Sequence, residues 1–191
     1  MSAVTPLEHF YEWTPTQPLT KTPGKLPSMY DLPSEDPADG WHDAFHIHQP
    51  NLLSETFVPP AYSYERRLVA TGLYIYYDPR HTSWYKRPDW FAVVGVSHLY
   101  QGDLRYSYVM WKEKVRPLIV IELLSPGSEN EDLGQPHRQP RRPPSKWQVY
   151  EQEVKVPYYA IFSRHTGHFQ LFHLTPGGYQ ELSLPEKRFF L

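Results

Sequence analysis

The chain has 191 residues, which suits one domain or one domain with an arm, and its net charge of −2 from 19 basic and 21 acidic residues supplies no global pull toward nucleic acid. Cysteine is absent, which excludes disulfides, Cys-ligated zinc, iron–sulfur clusters and thiol catalysis. Aromatic residues reach 16%, enough to fill a core, while 21 prolines (about 11%, against an average near 5%) require long stretches outside helix interiors and central strands.

No apolar run approaches the roughly 20 residues of a membrane span, and Met1 to Tyr11 lacks a basic start followed by an apolar stretch. The expectation is a cytoplasmic protein with no membrane partner. Residues 1–40 read as an arm, because Pro6, Pro15, Pro18, Pro23, Pro27, Pro33 and Pro37 interrupt every helical period. Trp13, Leu26 and Tyr30 give that arm apolar anchors for wrapping the domain or a partner. Residues 41–191 read as the folded domain.

A short helix is expected at about Pro50–Thr56, with proline in its first position and Phe45, Leu52, Leu53 and Phe57 on one face. Strand-like runs follow at Leu73–Tyr77, Trp90–Val96 and Leu118–Leu124. The last two are almost continuously apolar, as in strands buried on both faces of a sheet. Leu104–Trp111 fits a strand or a helix equally. Residues 126–145 form a polar, proline-rich loop, after which Ser145 caps a helix with Trp147, Tyr150 and Val154 at helical spacing. Tyr158–Phe162, His168–Leu174 and Tyr179–Leu182, separated by turn signals, read as a terminal meander. The fold class is therefore α/β, a central mixed sheet flanked by helices.

Three residues break the pattern. Glu122 lies inside LIVIELL, sharing a face with Val120 and Leu124, and a buried carboxylate costs several kcal/mol unless it is protonated, paired or metal-bound. Pairing with an arginine such as Arg116 is the plain alternative. Asp89 stands at the mouth of WFAVVGV, where it either caps a turn or converges with Glu122; two carboxylates suit Mg²⁺, which keeps several waters. Lys146 opens the helix after the polar loop, either as a solvated surface cation or as a charge beside the acids. Together they would serve metal-assisted phosphodiester hydrolysis.

Arg87-Pro88-Asp89, Ile121-Glu122-Leu123-Leu124-Ser125-Pro126, Lys146 with Tyr150, and Val156-Pro157-Tyr158-Tyr159 occur in this order. The series resembles the Uma-two family of the PD-(D/E)XK nuclease superfamily over about residues 60–185. The resemblance implies a restriction-endonuclease-like fold and a Mg²⁺ (or Mn²⁺) endonuclease acting on nucleic acid, with DNA the expected substrate. It implies Asp89 and Glu122 as metal ligands, the Leu123 carbonyl as a third protein oxygen, and Lys146 in place of the superfamily lysine, whose usual position here is Leu124. Tyr150 and Asp132 would support the site. The family's acidic residue in an early helix has no secure match, with Glu55 or Gln49 the nearest candidates. Folds of this kind that cut both strands often dimerise, which leaves a homodimer open beside a monomer.

His46-Ile47-His48 with His42 could offer imidazoles to a metal, although Phe45, Pro50 and Leu52 argue for packing around a loop. Arg138, Arg141 and Arg142 form the dense basic cluster and either touch phosphates or balance nearby acids; Arg87 faces the same choice. No nucleophile elbow surrounds Ser125 or Ser128, and Pro176-Gly177-Gly178 is a turn rather than a phosphate loop. The alternative to an enzyme is a catalytically inactive nuclease-fold binding or regulatory module, or an interaction role for the arm.

Overall fold

The structure, a computed structural model, describes residues 11–16, 24, 26–32, 44–124, 132–133 and 143–183. Arg138, Arg141, Arg142, His42, Ser125, Pro126 and Ser128 lie outside them. The described elements form a mixed α/β fold around a six-stranded sheet, as expected of a restriction-endonuclease-like core. Its strands are β1 (Arg67–Thr71), β4 (Trp90–Val94), β6 (Ile119–Leu123), β7 (Tyr158–Ser163), β8 (His168–Thr175) and β9 (Gly178–Glu181), in that spatial order. β6 and β7 run parallel, and the other neighbours are antiparallel. A three-stranded sheet of β3 (Tyr85–Lys86), β2 (Ile75–Tyr76) and β5 (Tyr108–Val109) lies beside it.

Continuous apolar sequence produces the central strands because both faces are covered. All of β4 is buried, and β6 sends Val120 into one core and Ile121 and Leu123 into the other. The larger core gathers Tyr74, Tyr76, Tyr108, Tyr150 and Tyr159 with the aliphatic residues, so tyrosine does the filling that leucine usually does. Among the described residues no helix is long and apolar enough to cross a membrane.

Helix α1 spans Ala44–Thr56, so the expected start at Pro50 is corrected: proline sits inside the helix. Pro50 cannot donate to the His46 carbonyl, a defect worth about 3 kcal/mol in an isolated helix. Burial of Pro50, with Phe45, Leu53 and Phe57 packed on Trp90, Ala92 and Ile121, offsets it. Leu52, expected on that face, is exposed instead. A bond from Trp90 Nε1 to Ser54 Oγ, 2.9 Å, ties α1 to β4.

The ambiguous stretch Leu104–Trp111 contains both forms, β5 running directly into the short helix α2 (Met110–Glu113). β1 and β3 were not expected. Within the arm, Trp13 is buried with its Nε1 on the Glu153 carbonyl (2.9 Å), and Leu26 packs on the larger core. Tyr30 is half-exposed, its hydroxyl donating to Asp103.

Candidate metal and catalytic site

The site grows from the β4–β6 pairing. Trp90 stands opposite Ile121, so the same antiparallel register sets Asp89 opposite Glu122. At that step side chains replace the backbone ladder. The Leu123 N–H donates to Asp89 Oδ2 at 2.7 Å, and the Asp89 N–H donates to Glu122 Oε2 at 3.3 Å. The two acids therefore converge as their positions at the strand mouths implied. Behind Asp89, Gly72 turns with φ +61 and donates to the Asp89 carbonyl, while Arg87 donates from Nε to the Gly72 carbonyl at 3.2 Å. A Cβ at Gly72 would meet Arg87 Nε at 3.3 Å, so glycine permits both the turn and the close approach.

Helix α3 (Lys146–Gln148) opens on a capping box: Ser145 Oγ accepts the Gln148 N–H, and the Gln148 side chain accepts the Ser145 N–H. It continues as a wider turn over Val149–Glu153, closed by Val154 N–H on the Val149 carbonyl at 2.8 Å. Such turns recur at functional sites. Lys146 and Tyr150 fall on one face and grip the same carboxylate. Lys146 Nζ is 2.9 Å from Glu122 Oε2, and the Tyr150 hydroxyl donates to Oε1 at 2.8 Å. Lys146 also lies 3.2 Å from Asp132 Oδ1.

Glu122 is 0% exposed. Burial pushes its carboxyl well above the ordinary carboxylate range, Asp132 and Asp89 push the same way, and the Lys146 ammonium opposes them. For Lys146, burial would lower the value, but Glu122, Asp132 and Asp89 outweigh it and hold the proton on Nζ. Burial, with Glu122 adding to it, likewise keeps the Tyr150 phenol protonated as a donor. The partner of Glu122 is thus Lys146. The alternative partner, Arg116, donates to the Lys155 carbonyl at 3.2 Å. Leu124, on the Glu122 face, packs against the larger core and leaves the ammonium to come from α3.

His46 was not foreseen in this place. It projects from α1, and its Nε2 donates to the Leu123 carbonyl at 3.0 Å, the very oxygen expected to face a metal. Glu55 is exposed, whereas His46, half-buried, falls on the inward stripe with buried Pro50 and half-buried Leu53. A polar residue on that apolar stripe was the available signal, hidden because Pro50 was read as the helix start. His48 is exposed.

Among the described residues, no three His, Asp or Glu side chains are grouped closely enough to hold a metal ion as they stand. The donor set nevertheless fits a hard cation. Asp89, Glu122 and Asp132 surround one ammonium, leaving excess negative charge in a buried site, and the Leu123 carbonyl belongs to the residue whose N–H secures Asp89. Mg²⁺ takes one or two carboxylates and completes its shell with water.

Residues 42–189 match the Uma2 family, described as "Putative restriction endonuclease". The chain belongs to the Uma2 family. The match runs from just before α1 through the strands and α3 that carry Asp89, Glu122 and Lys146. No curated protein matches the chain. Restriction-endonuclease-like families such as Uma2 typically use divalent metals.

Proposed function

We propose that this Uma2 protein is a divalent-metal-dependent endonuclease that hydrolyses phosphodiester bonds of DNA, with Mg²⁺ or Mn²⁺ held by Asp89, Glu122 and the Leu123 carbonyl. The observation that carries the reading is the interlocked pair of carboxylates on adjacent strands with the Lys146 ammonium on one of them. A bound divalent cation supplies Lewis acidity toward the scissile phosphate and a more acidic water. Asp89 and Glu122 bind it, and Asp89 is held for that task by the Leu123 amide. Lys146, kept protonated, offsets charge developing on phosphate oxygens. Tyr150 fixes the Glu122 carboxylate from the far side. His46 orients the Leu123 carbonyl and, on losing its Nε2 proton, is a further candidate ligand.

The test is cleavage of duplex DNA with Mg²⁺ by wild type and Glu122→Ala. Abolished cleavage in the variant is expected; unchanged cleavage contradicts the assignment. One observation favours an inactive regulatory module instead: Tyr150, Lys146 and the Asp89 amide already occupy both Glu122 oxygens. Failure of the wild type to cut any nucleic acid, with or without either metal, would select that reading.

A further inference from the structure

A cavity of about 490 Å³ lies at the end of the sheet opposite the carboxylates, lined by Tyr11, Glu12, Tyr62, Arg66, Val94, Gly95, Lys114 and Val115. Val94 closes β4, whose first residue follows Asp89, and Val115 precedes β6, which ends beyond Glu122. A strand rise of about 3.3 Å per residue places the two sites roughly 15 Å apart. The volume falls in the span of about 300–1,000 Å³ typical of small-molecule sites.

The arm builds one wall. Arg116 N–H donates to the Tyr11 carbonyl at 2.7 Å, Trp13 N–H donates to the Lys114 carbonyl at 2.8 Å, and Glu12 bridges Val115. On the other side Gly95, at φ +83, brings the backbone to within 3.9 Å of the Tyr62 ring, measured from the Cβ it lacks. Lys114 ends α2 in the left-handed conformation, with φ +59. Glycine is the usual residue there, and a side chain in that conformation carries strain. Lys114 shares that conformation with Gln101 and Lys155, and as an exposed residue of the cavity lining it brings a positive charge there.

We infer that this cavity is a binding site for a free nucleoside monophosphate. Lys114 and Arg66 supply cations for the phosphate, Tyr11 and Tyr62 supply aromatic surface for a planar base, and Glu12 accepts a hydrogen bond from a sugar hydroxyl or ring amine. Inorganic phosphate satisfies only the first of these groups, and an uncharged nucleoside only the others. Because Tyr11 and Glu12 belong to the arm, a bound ligand clamps the arm to the sheet.

Calorimetric titration of AMP, GMP, CMP and UMP into the full chain tests this, with adenosine and inorganic phosphate as partial ligands. Saturable binding of at least one monophosphate is expected, about tenfold or more tighter than adenosine or phosphate. Lys114→Gly should weaken it about tenfold or more, the loss of a charge-assisted contact. Since glycine suits that backbone, the ligand-free melting temperature of this variant should stay level or rise. Glu122→Ala should leave the affinity unchanged, which separates this site from the proposed metal site. Absence of saturable binding at millimolar nucleotide, equal binding by phosphate alone, full affinity in Lys114→Gly, binding only by a single-stranded oligonucleotide, or loss of binding in Glu122→Ala would each overturn the inference.

Discussion

Glu122 concentrates the energetic conflict of the molecule into one residue. Its carboxyl is raised above the ordinary 4.5 by burial and by the Asp132 and Asp89 carboxylates, so it holds its proton to higher pH than an exposed glutamate. A metal must displace that proton. Affinity for Mn²⁺ should therefore fall as pH drops through the raised value, and the loss should begin above the range in which exposed carboxylates titrate. Metal titrations at a series of pH values check this; an affinity constant down to pH 4.5 would contradict it. Lys146 balances the same charges, so Lys146→Met leaves Asp89, Glu122 and Asp132 without their ammonium. Breaking a buried pair costs about 3 kcal/mol or more. The metal-free variant should melt well below wild type, and added Mn²⁺ should raise its melting temperature more than that of wild type. Cleavage should drop roughly 10²–10³-fold, as when one electrostatic donor to the transition state is removed. A surface lysine would produce neither effect.

At the scale of elements, α3 works as a presenting device, and its N-terminal cap decides where Lys146 points. Ser145→Ala removes the bond to the Gln148 N–H and should cost about 1 kcal/mol in urea unfolding. Its effect on cleavage should exceed its effect on metal affinity, because Asp89 and Glu122 belong to strands the cap does not touch. Both this cap and the central strands were legible in the sequence. Ser145 preceded a helical period, and a carboxylate inside LIVIELL violated a pattern too regular to ignore. Other elements were hidden for physical reasons. β1 is an edge strand of half-buried residues, so RLVAT shows neither a continuous apolar run nor strict alternation. The first half of α1 was masked by Pro50, whose penalty is real but is outweighed by tertiary packing. The His46–Leu123 contact joins residues far apart in the chain, which local periodicity does not report.

Across the whole molecule, the arm contributes to the fold that carries the site. Trp13 is 5% exposed, and its indole bonds the Glu153 carbonyl at the end of the wide turn, Val149–Glu153, that carries Tyr150. Neighbouring main-chain bonds pin the arm to Lys114 and Arg116, just before β6. Trp13→Ala should destabilise the protein by about 3 kcal/mol in chemical unfolding. A change below 1 kcal/mol would mean that the arm merely rests on the surface. Prolines and aromatic anchors suggest an arm at residues 1–40, and which of the described anchors are buried depends on tertiary contacts, which set Trp13 inside and Tyr30 half outside.

The central claim is that the paired strand-mouth carboxylates hold a divalent cation. Isothermal titration of Mn²⁺ and Mg²⁺ into wild type and Glu122→Ala, with and without a short duplex DNA, tests it most directly. Saturable binding by wild type that disappears in the variant is the predicted result. Equal binding by both proteins, or none by wild type even with DNA present, would contradict it.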